Sequence, residues 1–240
     1  MRTLVVLPTY QEADNIADVL RRLRAAVPSA DILVVDDSSP DGTAEMAKAV
    51  ATELGGVDVL VRPGKAGLGS AYRAGFNEGI TRGYDVLVEM DSDLSHDPAA
   101  LPTLLRAVEG GAALAIGSRY VPGGSIPQWP FHRRALSRWG NRYAAAVLGF
   151  DVQDSTSGFR AYRATTLAAI DLESVRADGY GFQIEMTYRV SAKGGRIVEL
   201  PIEFADRERG TSKMSGRIIV EALVLVTWWG LRDRARRLRG

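Results

Sequence analysis

Short apolar runs alternate with amphipathic stretches along the first half of the chain. The runs near 4–7, 32–35, 57–61, 86–88 and 112–116 are rich in Val, Ile and Leu. Each is too short for a helix, so the pattern predicts buried strands. Between the first two, Ile16, Val19, Leu20, Leu23 and Val27 recur at helical spacing and mark one apolar face. Similar helices are expected near 42–54, 66–82 and 98–109, the last opened by Pro98 behind Asp97. Repeated strand–helix–strand units imply an α/β fold, a Rossmann-like and mostly parallel sheet with helices on both faces.

Beyond residue 120 the pattern loosens. Pro122, Gly123, Gly124, Pro127 and Pro130 mark a loop, followed by helices near 131–148 and 181–193 and a strand near 197–204. The polar, Gly-flanked stretch 206–216 has little to bury and reads as a mobile loop. Without linker or repeat, residues 1–215 form one expected domain, with a nucleotide-binding half (1–120) and an acceptor-binding half (121–215). Residues 216–240 form a C-terminal amphipathic helix with a basic tail.

Composition narrows the chemistry. The 240 residues carry a net charge of +1, which gives no whole-chain preference for an acidic partner. The absence of cysteine excludes disulfides, thiolate zinc sites and a cysteine nucleophile. With only His96 and His132, a histidine metal cluster or Ser–His triad is not expected. No leader or lipidation motif precedes the first strand, so the expected compartment is the cytoplasm.

In an open parallel sheet, ligands bind beyond the carboxyl ends of the strands. Polar residues gather there three times: Pro8-Thr9-Tyr10 with Glu12, the acidic run opened by Asp36-Asp37, and Asp91-Ser92-Asp93-Leu94-Ser95. One acidic strand end can simply cap the next helix; three together point to a site. Asp91 and Asp93, at alternate positions of an extended segment, suit a hard cation such as Mg²⁺ or Mn²⁺. An EF-hand would need Gly and Glu where His96 and Pro102 stand. The glycine-rich stretch after Lys65 can approach phosphates, but fits neither a P-loop nor a dinucleotide fingerprint.

Taken together, 5–12, 34–43, 91–97 and Gly117-Ser118-Arg119-Tyr120 resemble glycosyltransferase family 2 and its GT-A fold. Arg62-x-x-Lys65-x-Gly67-Leu68-Gly69, the segments 154–162 and 181–185, and Arg207-x-x-Gly210-x-Ser212-Lys213 resemble its polyprenol (dolichol) phosphate mannose synthase branch. The resemblance implies mannose transfer from GDP-mannose to a polyprenyl monophosphate, with inversion at the anomeric centre. It places Pro8, Thr9, Tyr10, Glu12, Asp36, Asp37 and Lys65 around the nucleotide, and Asp91 and Asp93 on the metal. Ser95 replaces a glutamine that reaches the metal in some relatives; being shorter, it would act through a bridging water. Arg119, Arg207 and Lys213 fall at positions that handle the phosphates.

The chain's last segment bears on the membrane. Apolar residues dominate 218–231 and Trp228-Trp229 stand near their end. Fourteen helical residues reach only about 21 Å, short of a hydrocarbon core of about 30 Å. Arg232, Arg234, Arg236, Arg237 and Arg239 follow, so the helix is expected to lie in the headgroups of an anionic leaflet. The resemblance also implies a membrane-anchored protein partner. No aromatic or groove-reading motif accompanies the basic tail, and nucleic acid is not an expected partner. Two alternatives stay open on the residues alone: a glucosyltransferase using UDP-glucose, and a non-catalytic sugar-nucleotide sensor on the same scaffold.

Overall fold

The computed structural model describes residues 1–205 and 216–237. Seven strands form one sheet in the order β3-β2-β1-β4-β6-β5-β7. They are β1 (Thr3–Thr9), β2 (Asp31–Asp36), β3 (Val57–Val61), β4 (Val86–Glu89), β5 (Leu114–Ser118), β6 (Arg160–Arg163) and β7 (Ile197–Pro201). All neighbours pair in parallel except β6, which runs antiparallel to both β4 and β5.

Side chains alternate between two core layers because successive strand residues point to opposite faces. Val5, Leu7, Ile32 and Val34 pack against α1 (Ala13–Ala26), α2 (Thr43–Leu54) and α4 (Leu101–Glu109). Leu4, Val6, Leu33 and Val35 face α3 (Leu68–Thr81) and, farther along the sheet, α5 (Phe131–Leu148) and α7 (Gly179–Ala192). Central strands buried on both faces need continuous apolar runs, which is why β1, β2 and β4 were readable from sequence.

The helix α3 lies close on the sheet because it has glycines there. A Cβ on Gly75 would stand 2.3 Å from Val6 Cγ1, and one on Gly79 2.2 Å from Leu87 Cδ2. From β1 the chain winds outward through β2 and β3, then returns to add β4 on the other side of β1. The order therefore switches between β1 and β4, and the crevice beyond their carboxyl ends is the expected ligand position.

Several sequence expectations shift in detail. Residues 98–100 form a 3₁₀ turn before α4, with the Asp97 carboxylate accepting from Ala99 N at 2.9 Å. The last strand ends at Pro201; Glu203 and Phe204 make isolated bridges to Ser125 and His96. Strand β6 and the short α6 (Ala164–Ala169) were not anticipated. The expected loop 206–216 falls outside the described residues except for Gly216, which opens α8 (Gly216–Arg237). Rather than standing apart, α8 packs on α5 and α7, and its Ala222 and Val226 join the core. No helix among the described residues is long and apolar enough to cross a membrane.

Candidate active site

The carboxyl ends of β1, β2 and β4 converge at the switch point. Ser92, just beyond β4, donates its hydroxyl to the Pro8 carbonyl near the end of β1 at 3.0 Å, which ties the two strand ends together. Buried Asp36 accepts from Thr9 Oγ1 (2.8 Å), Ser39 N (2.9 Å) and Ser39 Oγ (2.6 Å). Glu12 takes the Asn15 amide at 2.9 Å and offers its own backbone N–H to Thr43 Oγ1. These contacts fix the curve in which Pro8 and Tyr10 stand half-exposed at the crevice.

Asp37 has a second task. Its carboxylate accepts from Arg62 Nε at 2.6 Å and from the Ala66 backbone N–H at 3.1 Å. It thus clasps the glycine-rich loop, whose other end is held by Asp178 through Gly69 N at 2.6 Å. Lys65, at the loop's tip, lies with Nζ 4.2 Å from the Tyr10 ring centre. The loop therefore presents its cation beside Tyr10 while the carboxylates of Asp37 and Asp178 hold its shape.

Asp91 and Asp93 stand on the next turn. The Tyr72 hydroxyl donates to Asp91 Oδ1 at 3.3 Å, and a side chain at Gly158 would crowd the same carboxylate at 3.2 Å. Asp93 Oδ1 accepts from the backbone and the hydroxyl of Ser95, at 3.0 and 2.5 Å. With its proton turned to Asp93, Ser95 stands beside the carboxylate rather than apart from it. Two hard oxygen donors in this setting fit a Mg²⁺- or Mn²⁺-type ion completed by water and substrate phosphates. No cluster of three acidic or histidine side chains that could cage a metal occurs among the described residues. Nearby, burial pushes the His96 pKa down to about 4, so its ring is a neutral one stacked on Phe159.

At the end of β5, Arg119 enters a buried aromatic box. Its guanidinium carbon lies 5.4, 5.7 and 5.3 Å from the rings of Tyr120, Trp129 and Phe204. Nε and Nη2 donate to the two oxygens of Asp154, at 2.7 and 2.6 Å, and Nη2 also reaches Thr156 Oγ1 at 2.8 Å. Burial disfavours the charge on Arg119, but Asp154 outweighs it and holds the guanidinium protonated. Phe204 also meets His96, at 5.3 Å between ring centres, so it bridges the Asp91–Asp93 turn and the Arg119 box.

Beside this box opens a cavity of about 630 Å³, walled by Arg119, Tyr120, Ile126 and the N-terminal half of α5. Arg134, Arg138 and Arg142, one helical turn apart, line its α5 side. The helix is legible in the sequence, but this ladder is not. The i, i+4, i+8 spacing was visible, whereas the cavity it faces arises only from tertiary placement. Of the residues named from sequence, the crevice gathers Pro8, Tyr10, Glu12, Lys65, Asp91, Asp93 and Ser95 at the β1 and β4 ends. Arg119 lies a layer away, and Arg207 and Lys213 fall outside the described residues.

Comparison with known proteins follows the same lines. The glycosyl transferase family 2 model matches residues 4–170. An undecaprenyl-phosphate mannosyltransferase of Micrococcus luteus is 54% identical, covering 100% of this chain and 98% of that protein. A polyprenol monophosphomannose synthase of Mycolicibacterium smegmatis is 51% identical, covering 100% and 91%. Among solved structures, the glucosyl-3-phosphoglycerate synthase of Mycobacterium tuberculosis, crystallised with Mn²⁺, UDP-glucose and glycerol 3-phosphate, superposes with a TM-score of 0.67. It is 20% identical over 94% of this chain and 78% of its own, a likeness of fold, of the GT-A type.

Proposed function

The chain belongs to glycosyltransferase family 2, and on that footing we propose that it transfers mannose from GDP-mannose to a polyprenyl (dolichol-type) monophosphate. One observation carries the acceptor class: the cavity beside the acidic crevice combines a ladder of arginines with apolar walls. That combination suits an anionic head on an apolar tail. A sugar hydroxyl acceptor would instead need a base to remove its proton. A phosphate oxygen is already anionic and can attack as it stands.

In this reading Pro8, Thr9, Tyr10, Glu12, Asp36, Asp37 and Lys65 form the nucleotide side of the crevice. Asp91 and Asp93, with Ser95 beside them, would hold a divalent ion. When bound, the ion offsets the negative charge that develops on the departing GDP. The acceptor oxygen forms a bond to the mannose anomeric carbon as its bond to the GDP β-phosphate breaks. Attack from the opposite face inverts the centre and gives a β-linked product. Arg119, braced by Asp154 on the wall of the acceptor cavity, offers the phosphates a fixed positive charge without reorganising. Arg207 and Lys213 are assigned to the same phosphates by their sequence positions. A cytoplasmic membrane face, with α8 against it and a membrane-anchored protein nearby, completes the setting.

The test is transfer of label from GDP-mannose into the organic phase with a short-chain polyprenyl phosphate and Mg²⁺ or Mn²⁺. Wild type should produce labelled lipid and Asp93→Asn should not. Donor binding without any lipid product would instead favour the sensor reading.

A further inference from the structure

Strand β7 reaches Arg119 along two routes. It runs parallel to β5, with Glu199 beside Ile116 and Pro201 beside Ser118, and Arg119 follows directly on β5. Past the end of β7, Phe204 brings its ring to 5.3 Å from the guanidinium carbon. Within the strand, Glu199 reaches the same arginine indirectly, through the segment that carries Asp154.

That segment leaves α5 at Gly149, which turns the chain in the left-handed region at a φ of 74°. Phe150, Val152 and Asp154 are then buried, while Asp151 and Gln153 face outward. The alternation is that of a strand, but no ladder forms and the chain bends at Gln153. Its backbone N–H groups therefore need acceptors from elsewhere. Glu199 supplies them: Oε2 accepts from Gln153 N at 2.7 Å and Oε1 from Asp154 N at 2.8 Å. A carboxylate that takes two successive N–H groups holds a bend more firmly than a single neutral acceptor.

What the bend holds is the Asp154 side chain. Its Oδ2 accepts from the Arg119 backbone N–H and Nε, and its Oδ1 from Nη2. Thr156 completes the cradle, its Oγ1 accepting from Arg119 Nη2 at 2.8 Å and from the Asn141 amide at 3.1 Å. Asn141 stands on α5, so the helix with the arginine ladder shares this anchor. Glu199 is not itself part of the cavity wall, whereas Arg119 is.

We propose that Glu199 is a positioning residue for the transfer: by gripping the backbone of Gln153 and Asp154, it sets the angle at which Arg119 meets the acceptor phosphate. Pairing between a guanidinium fork and a phosphate is directional, so a small rotation of the fork weakens it. The inference rests on the reading of the cavity as the acceptor site.

Two substitutions test it. Glu199→Gln keeps the shape of the side chain but offers one acceptor and one donor to two N–H groups; Glu199→Ala removes both acceptors. In Glu199→Gln the KM for a short-chain polyprenyl phosphate should rise about tenfold, with the KM for GDP-mannose held within about twofold. In an Arg119→Lys background, which has no fork to aim, the same change should add less than about twofold. The Arg119 Nε–H resonance, identified by its loss in Arg119→Lys, reports the geometry without turnover. It should shift and exchange faster with solvent in both Glu199 variants; should Glu199→Ala fail to fold, Glu199→Gln decides alone. Equal rises in both KM values, additive losses in the Arg119→Lys background or an unmoved Nε–H resonance would overturn the role. So would a lower thermal midpoint with an unchanged acceptor KM. A wild type that makes no lipid product, while the variants still move the Nε–H resonance, would sink the mannosyl-transfer reading and leave the positioning of Arg119 standing.

Discussion

Arg119 and Asp154 meet through two side-chain hydrogen bonds of 2.7 and 2.6 Å, with a third from the Arg119 backbone at 2.9 Å, all out of solvent. Asp154 is itself anchored, its backbone N–H donating to Glu199 Oε1 on β7 at 2.8 Å. The carboxylate therefore fixes both the direction and the charge of the guanidinium. Removing one member leaves a buried charge alone, a loss of about 3–5 kcal/mol. Urea unfolding of Asp154→Asn should show a fall of that size, and a midpoint equal to wild type would contradict the role.

The same pair fixes an acid limb. Burial raises the Asp154 pKa, but Arg119 more than compensates and brings it below the ordinary carboxylate value. A depressed folded-state pKa stabilises above the unfolded value of about 3.9 and is lost as pH falls through the lower folded one. Wild-type stability should therefore drop below about pH 4, and the pH profile of Asp154→Asn should be flatter there. Parallel profiles would show that other groups set the acid limb.

Tyr72 bears on metal binding. It is fully buried, stacked on Phe182 at 5.9 Å, and its hydroxyl donates to Asp91. Tyr72→Phe keeps the ring and removes that donor from the Asp91 carboxylate. A loss of about 1 kcal/mol predicts roughly fivefold weaker Mn²⁺ binding, measured by titration calorimetry. Unchanged affinity would limit the hydroxyl to a packing role.

Glycine substitutions separate packing from propensity. At Gly75 a methyl group meets the stiff Val6 side chain, so Gly75→Ala should destabilise by about 1–3 kcal/mol despite the helical gain. At Gly140 on α5 nothing stands within 4 Å, and Gly140→Ala should stabilise by about 0.5–1 kcal/mol. Thermal unfolding of the two variants should move in opposite directions.

These contrasts also show what could be read in advance. β1, β2 and β4 announce themselves because a strand covered on both faces must be apolar throughout. Strand β6 does not, since Arg160-Ala-Tyr-Arg163 looks like surface. Arg160 is nevertheless fully buried, donating to the carbonyls of Ser157, Ser155 and Gln183 at 2.6, 2.6 and 2.9 Å. Two of those acceptors lie in the loop just before the strand, and only the assembled fold brings the third from α7.

The candidate site divides in the same way. Asp91 and Asp93 stand out as candidate ligands from alternate spacing alone, and the polar strand ends from their positions. The engagement of Asp37 with Arg62 was not, because a carboxylate that lines a pocket and one that braces a loop look alike in sequence. Arg138 and Arg142 read as a solvated helix face until Tyr120 and Ile126 close a cavity against that face. Side chains on a single element were predictable; relations between elements were not.

The central claim is tested most directly by offering GDP-mannose and UDP-glucose together, each with a different label, to the purified protein with Mn²⁺ and a short-chain polyprenyl phosphate. The account predicts that the mannose label moves to the organic phase and is released as mannose on mild acid treatment. Glucose in the lipid fraction in place of mannose, or no labelled lipid from either donor, would contradict it.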